Sequence, residues 1–360
     1  MKGKVTALVG AQYGSEGKGV VAHKVAFDYK YHVRTGGPNA GHSFVQDGKL
    51  WKMQSLPCGW INPDAVMIIG RGAVVDLAQL FKEVRAVFAE DPTIINRIII
   101  DGGAGYLEPR HHEAEGGHTG EIGKRIGSTG EGVGACRVDR INRNSDDFRL
   151  IRDAADEVDV VIGGVHWSEW IQEDTPALLY QGIKNGENVL LEGTQGSALS
   201  LIHGPWPYVT SHDTNAASLA SDAGVAPHLV TDVVLVARTY PIRVGGNSGP
   251  LNNEVDWDHM SERMGRKTTE RTTVTKKLRR IGLWDEDLMR KAIVLNSPTS
   301  VALTFMDYFQ PNDENCTAYD DLTDDSKQFI GYIEGTFGVP VNFIGTGFDT
   351  EKGWVCIERE

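Results

Sequence analysis

An aliphatic, β-branched run at 5–9 breaks directly into Gly10-Ala-Gln-Tyr-Gly14-Ser15-Glu16-Gly17-Lys18-Gly19, and a helical stretch is predicted behind it at 19–29. Strand, glycine loop and helix in that order aim backbone N–H groups and a helix N-terminus at one point, a geometry that suits phosphate. The pattern is not a P-loop of the GxxxxGK[ST] form. Gln12 stands five residues before Gly17, and Gly19 occupies the place of a magnesium-binding Ser or Thr. Spacing alone leaves two readings, nucleotide binding or a structural strand-to-helix turn. Of 42 glycines in 360 residues, seven lie in 10–41 and eleven in 102–134. No Gly-X-Y period accompanies them, so close approach of backbone to a ligand is the better account of the excess.

Short apolar runs recur at 31–35, 66–69, 98–100, 158–162, 189–191, 233–237, 292–295, 301–305 and 341–344. Several are unbroken, as expected of strands covered on both faces. Helices are predicted at 77–89, 146–157, 168–184, 214–223, 286–291 and 325–337, with Ser145 and Asp285 as N-caps. This alternation predicts an α/β fold: a mainly parallel central sheet, helices on both faces and long glycine-rich loops. No repeat or linker interrupts it, so residues 1–360 read as one domain.

A net charge of −13 argues against broad contact with DNA, RNA or anionic lipid, while a small anionic substrate remains compatible where positive charge is local. Lys276, Lys277, Arg279 and Arg280 form such a local cluster. The four cysteines, Cys58, Cys136, Cys316 and Cys356, contain no CxxC pair and read as reduced thiols. No apolar stretch has membrane-spanning length and the first residues are too short a run for a signal peptide, so the expected location is the cytoplasm. His111, His112, Glu113, Glu115 and His118 look metal-like in composition. Adjacent histidines rarely converge on one ion, and a solvated loop is expected there.

Two more glycine loops carry polar chemistry. Gly36-Gly-Pro-Asn39-Ala-Gly41-His42-Ser43 sets a histidine where it can act as acid or electrophile. Gly127-Ser128-Thr129-Gly-Glu-Gly-Val-Gly134 offers hydroxyls and N–H groups to a phosphate monoester. A surface histidine and a disordered loop are the plain alternatives. With Glu192-Gly-Thr-Gln195-Gly, Pro207-Tyr-Val-Thr210-Ser and Arg280-Ile-Gly-Leu-Trp-Asp285, these motifs follow in order from about 5 to 347. In that order they resemble the adenylosuccinate synthetase family.

The resemblance implies a reaction. A nucleoside triphosphate phosphorylates the 6-oxygen of a purine monophosphate with Mg²⁺ present, and the amine of L-aspartate then displaces the phosphate. Phosphorylation converts an amide-like oxygen into a leaving group, and the enzyme's part is mostly positioning and charge neutralisation. By motif position, His42 faces the transferred phosphoryl and Gly41 offers its carbonyl to the metal. Gly14, Glu16, Gly17, Lys18 and Ser43 join them around the donor. Ser15, Asn39, Ser128, Thr129, Gln195 and Thr210 hold the purine monophosphate, and Ser15, Lys18, His42 and Gln195 form the catalytic group. Arg143 reaches the 5′-phosphate of a partner subunit, which implies a homodimer.

Four departures shape the expectation. Ser15 stands where the family has the aspartate that takes the N1 proton, and a neutral hydroxyl is no carboxylate base at pH 7. A viral branch of the family carries Ser here and uses dGMP, whose C2 amino group needs the room a short hydroxyl leaves; the base is then a water or the activated substrate. Thr304-Phe305-Met306-Asp307 lacks the lysine of guanine-specific members, which favours ATP or dATP as donor, although Phe305 reads equally well as strand core. The aspartate-binding loop keeps Thr273, Thr275 and Arg279 but has Lys277 for an arginine, losing bidentate geometry. Ser200-Leu-Ile-His203 replaces Asp-Ile-Asp-His. The expected activity is an ATP- or dATP-driven dGMP:L-aspartate ligase. An IMP-using synthetase and a catalytically silent nucleotide-binding regulator are the alternatives.

Overall fold

Strands that are apolar on both faces need cover on both, and helices connecting parallel strands supply it. The computed structural model describes residues 2–143, 148–272 and 276–357. Ten strands form one sheet in the order Ile171–Gln172, Ile98–Asp101, Val66–Ile69, Tyr31–Arg34, Val189–Glu192, Val5–Gly10, Asp232–Arg238, Ser300–Thr304, Val341–Gly345 and Trp354–Cys356. All neighbours run parallel except the last pair. The α/β expectation therefore stands. Alternation along the first strand feeds two cores: Leu8 packs on one face with Met67, Leu80 and Val84, while Val5, Ala7 and Val9 pack on the other with Leu191, Leu219 and Ile330. Among the described residues no helix is long and apolar enough to cross a membrane.

Parallel register fixes what meets at the carboxyl ends. Leu8 pairs with Glu192, Glu192 with Arg34, Gly10 with Val236 and Arg238 with Thr304. Five neighbouring strands thus deliver Gly10, Arg34, Glu192, Arg238 and Thr304 to one edge, where open α/β sheets bind ligands. The hairpin His42–Gln46/Lys49–Met53 lies outside this sheet. Its two-residue turn, Asp47-Gly48, has φ of 52° and 69°, as the tight hairpin twist demands. The hairpin packs on helix Lys18–Lys24 at Gly19, where a Cβ would come 2.7 Å from that of His42. Glycine here lets the first loop and the histidine strand approach each other.

Several element expectations are corrected. The run at 292–295 is the last turn of helix Glu286–Asn296, capped by Asp285, because four apolar residues fit a helix as readily as a strand. The helix expected at 146–157 reduces to the 3₁₀ turn Ile151–Ala154; residues 144–147, with Ser145, lie outside the described residues. Helix 168–184 begins only at Thr175, after the edge strand Ile171–Gln172 and an Asp174 cap. Helix 19–29 ends at Lys24, and of 158–162 only Val161–Ile162 pairs, in a separate ribbon. The segment expected as a solvated loop is helix Pro109–Glu115, with His111 buried against Asp139.

Glu83 fastens the chain after the hairpin. It is buried, and its carboxylate accepts from the N–H groups of Gln54, Ser55 and Leu56 at 2.7, 3.0 and 2.9 Å. Glu83→Ala strands three donors and is expected to lower stability by about 2–4 kcal/mol. Urea denaturation measures this; an unchanged midpoint would contradict the assignment.

Candidate active site

The first loop is folded around its own carboxylate. Glu16 is fully buried and accepts from the N–H of Gln12 at 3.0 Å, the N–H of Gly14 at 2.8 Å and Lys18 Nζ at 2.6 Å. Glu16, expected among the donor contacts, is thus turned inward. Gln12 locks the loop to the neighbouring strand, donating to the Arg238 carbonyl at 2.9 Å and accepting the Arg238 N–H at 3.0 Å. Gly14 and Gly17 take φ of 86° and 93°, and Ser15 itself sits at 60°, which presents its hydroxyl outward. There the Arg279 guanidinium donates to Ser15 Oγ.

A buried triad stands beside this loop. Glu192 Oε1 lies 2.5 Å from His42 Nδ1 and 2.7 Å from Arg34 Nη1, and Oε2 accepts the Cys58 N–H at 2.8 Å. Burial pulls the Glu192 carboxyl upward, yet His42 and Arg34 more than offset it and hold it at about 2. Burial, with Arg34 next to it, pushes His42 down to about 4, so its ring is neutral at pH 7. His42, Cys58 and Glu192 have the ligand spacing of a metal centre. The Arg34 guanidinium already holds the carboxylate there, which argues against a cation in the same place.

Around these groups opens a cavity of about 360 Å³. The first loop contributes Gly14, Ser15 and Lys18 to its wall, the second Asn39, Gly41 and His42, and the third Ser128 and Thr129. Gln195 and Thr210 close the far side. Gln195 is held at φ 54° with its Oε1 accepting from Thr194 Oγ1 at 2.7 Å. Asn39 Oδ1 is buried without a hydrogen-bond partner, a group poised for a ligand donor. Lys18, Arg125, Arg243 and Arg279 also line the wall, against a single carboxylate, Glu115. The cavity is therefore locally cationic inside an acidic protein and fits phosphate and carboxylate groups.

Other expected residues lie elsewhere. Gly17 and Ser43 are not on this wall. Arg143 ends helix Val133–Asn142 at φ 56°, exposed, its Nε donating to the Ile141 carbonyl at 3.2 Å. Phe305 leaves the strand at φ 59°, so it is not strand core; its ring lies 3.7 Å from the Arg238 guanidinium. Asp307 is buried behind it, its carboxyl raised by burial to about 6. Thr273 and Thr275 fall outside the described residues. Ser200 accepts the His203 N–H and donates to Asp213 at 2.6 Å, so Asp213 supplies a carboxylate that the altered segment lacks.

Sequence reading missed Arg34, Arg125, Arg238 and Arg243, and it placed Glu115 in a solvated loop rather than at the site. Arg34 lies one residue before the end of the predicted run 31–35 and Arg238 directly follows the run 233–237, and that placement was the available signal. Glu115 is tied to the third loop, accepting from the N–H groups of Gly132 at 2.9 Å and Ala135 at 3.0 Å. Arg243 stacks on Tyr13 with its guanidinium 4.2 Å from the ring, bracing the first loop from the other side.

Fold and cavity together define an α/β protein with a cationic cleft, suited to phosphate and carboxylate groups, at the carboxyl ends of parallel strands. The comparisons make this specific. The family model "Adenylosuccinate synthetase" matches residues 7–161 and 166–314, and the chain belongs to that family. It is 40% identical over 345 residues to the adenylosuccinate synthetase of Methanococcus aeolicus, covering 95% of this chain and 96% of that protein. It shares the fold of fully ligated adenylosuccinate synthetase from Plasmodium falciparum (TM-score 0.86, 22% identity, 99% and 100% covered). It is also similar to the succinoaminodeoxyadenylate synthetase of cyanophage S-2L, solved with dGMP and dATP (TM-score 0.80, 25% identity, 98% and 95% covered). The protein is accordingly a triphosphate-dependent carbon–nitrogen ligase that uses aspartate.

Glu115→Ala removes the acceptor that orders the third loop. The Michaelis constant for the purine monophosphate is expected to rise at least about tenfold, since two charged hydrogen bonds are lost, with kcat little changed. Steady-state kinetics decide it: an unaltered constant would contradict the ordering role.

Proposed function

We propose that this chain ligates L-aspartate to C6 of dGMP, driven by ATP or dATP, giving 2-amino-2′-deoxyadenylosuccinate, the nucleoside diphosphate and inorganic phosphate. One observation carries the choice of purine. Ser15, in place of the family aspartate, presents a neutral hydroxyl to the cavity, and Arg279 is its partner. A hydroxyl leaves space beside N1 for a 2-amino group and can accept from it. The cyanophage enzyme, solved with dGMP, supports this reading. A second reading, IMP as substrate, is favoured by the archaeal relatives named adenylosuccinate synthetase, which match at higher identity.

In the proposed reaction the 6-oxygen attacks the γ-phosphoryl near His42, and the diphosphate departs. The aspartate amine then attacks C6 and phosphate leaves. Lys18 faces the donor phosphates; Arg279, released from Ser15, takes a carboxylate of aspartate. Gln195, Asn39, Ser128, Thr129 and Thr210 hold the monophosphate. Mg²⁺, when bound, would neutralise charge at the transferred phosphoryl. Its protein donor would be the Gly41 carbonyl, a neutral oxygen on the cavity wall, which fits an ion held chiefly by nucleotide phosphates. The adenine donor rests on Phe305, an aromatic platform where guanine-specific members carry lysine. Arg143 acts across a homodimer; Val138 and Ile141, exposed on the same helix at 55% and 70%, support a protein-covered face there.

Separate incubations of dGMP and IMP with aspartate, Mg²⁺ and ATP or dATP test the proposal by mass of the succinylated product. Turnover of dGMP is expected, and turnover confined to IMP would establish the second reading. Ser15→Asp should lower the dGMP/IMP ratio of kcat/KM at least tenfold, about 1.4 kcal/mol; an unchanged ratio removes Ser15 from specificity.

A further inference from the structure

Among the described residues Glu192 is the one carboxylate in direct contact with His42. It closes strand Val189–Glu192, opposite Arg34 in the parallel register, and is fully buried. Its Oε1 meets both His42 Nδ1 at 2.5 Å and Arg34 Nη1 at 2.7 Å, and its Oε2 accepts the Cys58 N–H. Arg34 also donates from Nη2 to the Ala40 carbonyl at 2.6 Å, which pins the loop leading into His42. Arg34 Nη1, a donor, also lies 2.9 Å from Nδ1, but the carboxylate oxygen is nearer to both groups: Nη1 donates to Oε1, and the 2.5 Å contact assigns the hydrogen to Nδ1, because two facing lone pairs would repel. Nδ1–H is therefore directed into the protein. Nε2 is left as the nitrogen available to the cavity that His42 lines.

We infer that Glu192 is a positioning residue for phosphoryl transfer: it sets the tautomer and the orientation of His42, and Arg34 and the Cys58 N–H hold it in place. The inference rests on the reading of His42 as the group facing the transferred phosphoryl. Neutral imidazole can carry its hydrogen on either nitrogen, and an unfixed ring would divide its population between orientations. With Glu192 in place the reacting edge is always Nε2, held by bonds made before substrate arrives. The carboxylate also favours the imidazolium in which Nε2 has gained the proton it donates to the transferred phosphoryl, as buried carboxylates orient histidines in hydrolase sites. A residue serving only to neutralise Arg34 would need neither Oε1 on the imidazole nor the shared oxygen.

Glu192→Gln keeps the size and removes the charge. At saturating substrates kcat is expected to fall about 10- to 100-fold, while the Michaelis constants move less than about threefold. Glu192→Asp should recover part of the loss. A double-mutant cycle with His42→Asn supplies the decisive comparison. If Glu192 acts through His42, adding Glu192→Gln to His42→Asn costs less than about twofold more. Multiplicative losses on top of an impaired His42→Asn would overturn the proposal alone. An undiminished kcat in His42→Asn would overturn the reading of His42 and the proposal with it. Nitrogen NMR of histidine-labelled wild-type protein gives an independent readout should Glu192→Gln fail to fold. His42 is expected as the Nδ1–H tautomer, and an Nε2–H form would overturn the inference.

Discussion

The carboxyl edge of the sheet keeps two ion pairs out of water, Arg34 with Glu192 and Lys18 with Glu16, and largely shields a third, Arg238 with Glu270. Charges so buried are costly unless each partner is matched and its remaining lone pairs are filled. Here the filling is done by loop backbone. Glu16 takes the N–H groups of Gln12 and Gly14, Glu192 takes that of Cys58, and Arg238 reaches the Ser15 carbonyl at 3.3 Å. The same bonds that make burial tolerable therefore set the path of the loops. Glycine at positive φ lets backbone wrap a carboxylate at this distance, which a side chain would prevent.

This arrangement leaves the cations on the cavity wall with work to do. Arg34 and Arg238, behind the wall, are committed to carboxylates; on the wall Lys18 is paired beneath the first loop, whereas Arg279 rests on a neutral hydroxyl. Burial lowers the pKa of Arg279, a sign that its charge is incompletely compensated. A substrate carboxylate or phosphate entering the cavity would supply what is missing. Preorganised charge of this kind is the largest resource an enzyme has for phosphoryl transfer, since little covalent chemistry falls to the protein.

Much of the fold was legible because period and punctuation agree: the run at 5–9, its glycine loop and Asp285 before helix Glu286–Asn296 each signal one structure. The run at 292–295 misled because an apolar tetrad does not choose between helix and strand without its neighbours. The segment around His111 misled in the other direction. Its histidines drew attention, while Glu108 and Pro109 mark a helix start that composition alone obscured. Several residues named from the glycine motifs line the cavity, while Glu16, Gly17 and Ser43 do not, and the partners that hold the motifs in place were not legible. Glu192 stands 150 residues from His42 and 158 from Arg34, and only the parallel register brings them together.

The family fixes the chemistry as aspartate ligation, and in the proposed function Ser15 is the residue on which the identity of the purine turns. The most direct measurement offers dGMP and IMP together at equal concentration, with aspartate, Mg²⁺ and dATP or ATP, and reads the ratio of the two succinylated products by mass. The account predicts the product of dGMP in at least tenfold excess, the discrimination of about 1.4 kcal/mol expected of one polar contact. A product pool dominated by the IMP adduct would contradict it.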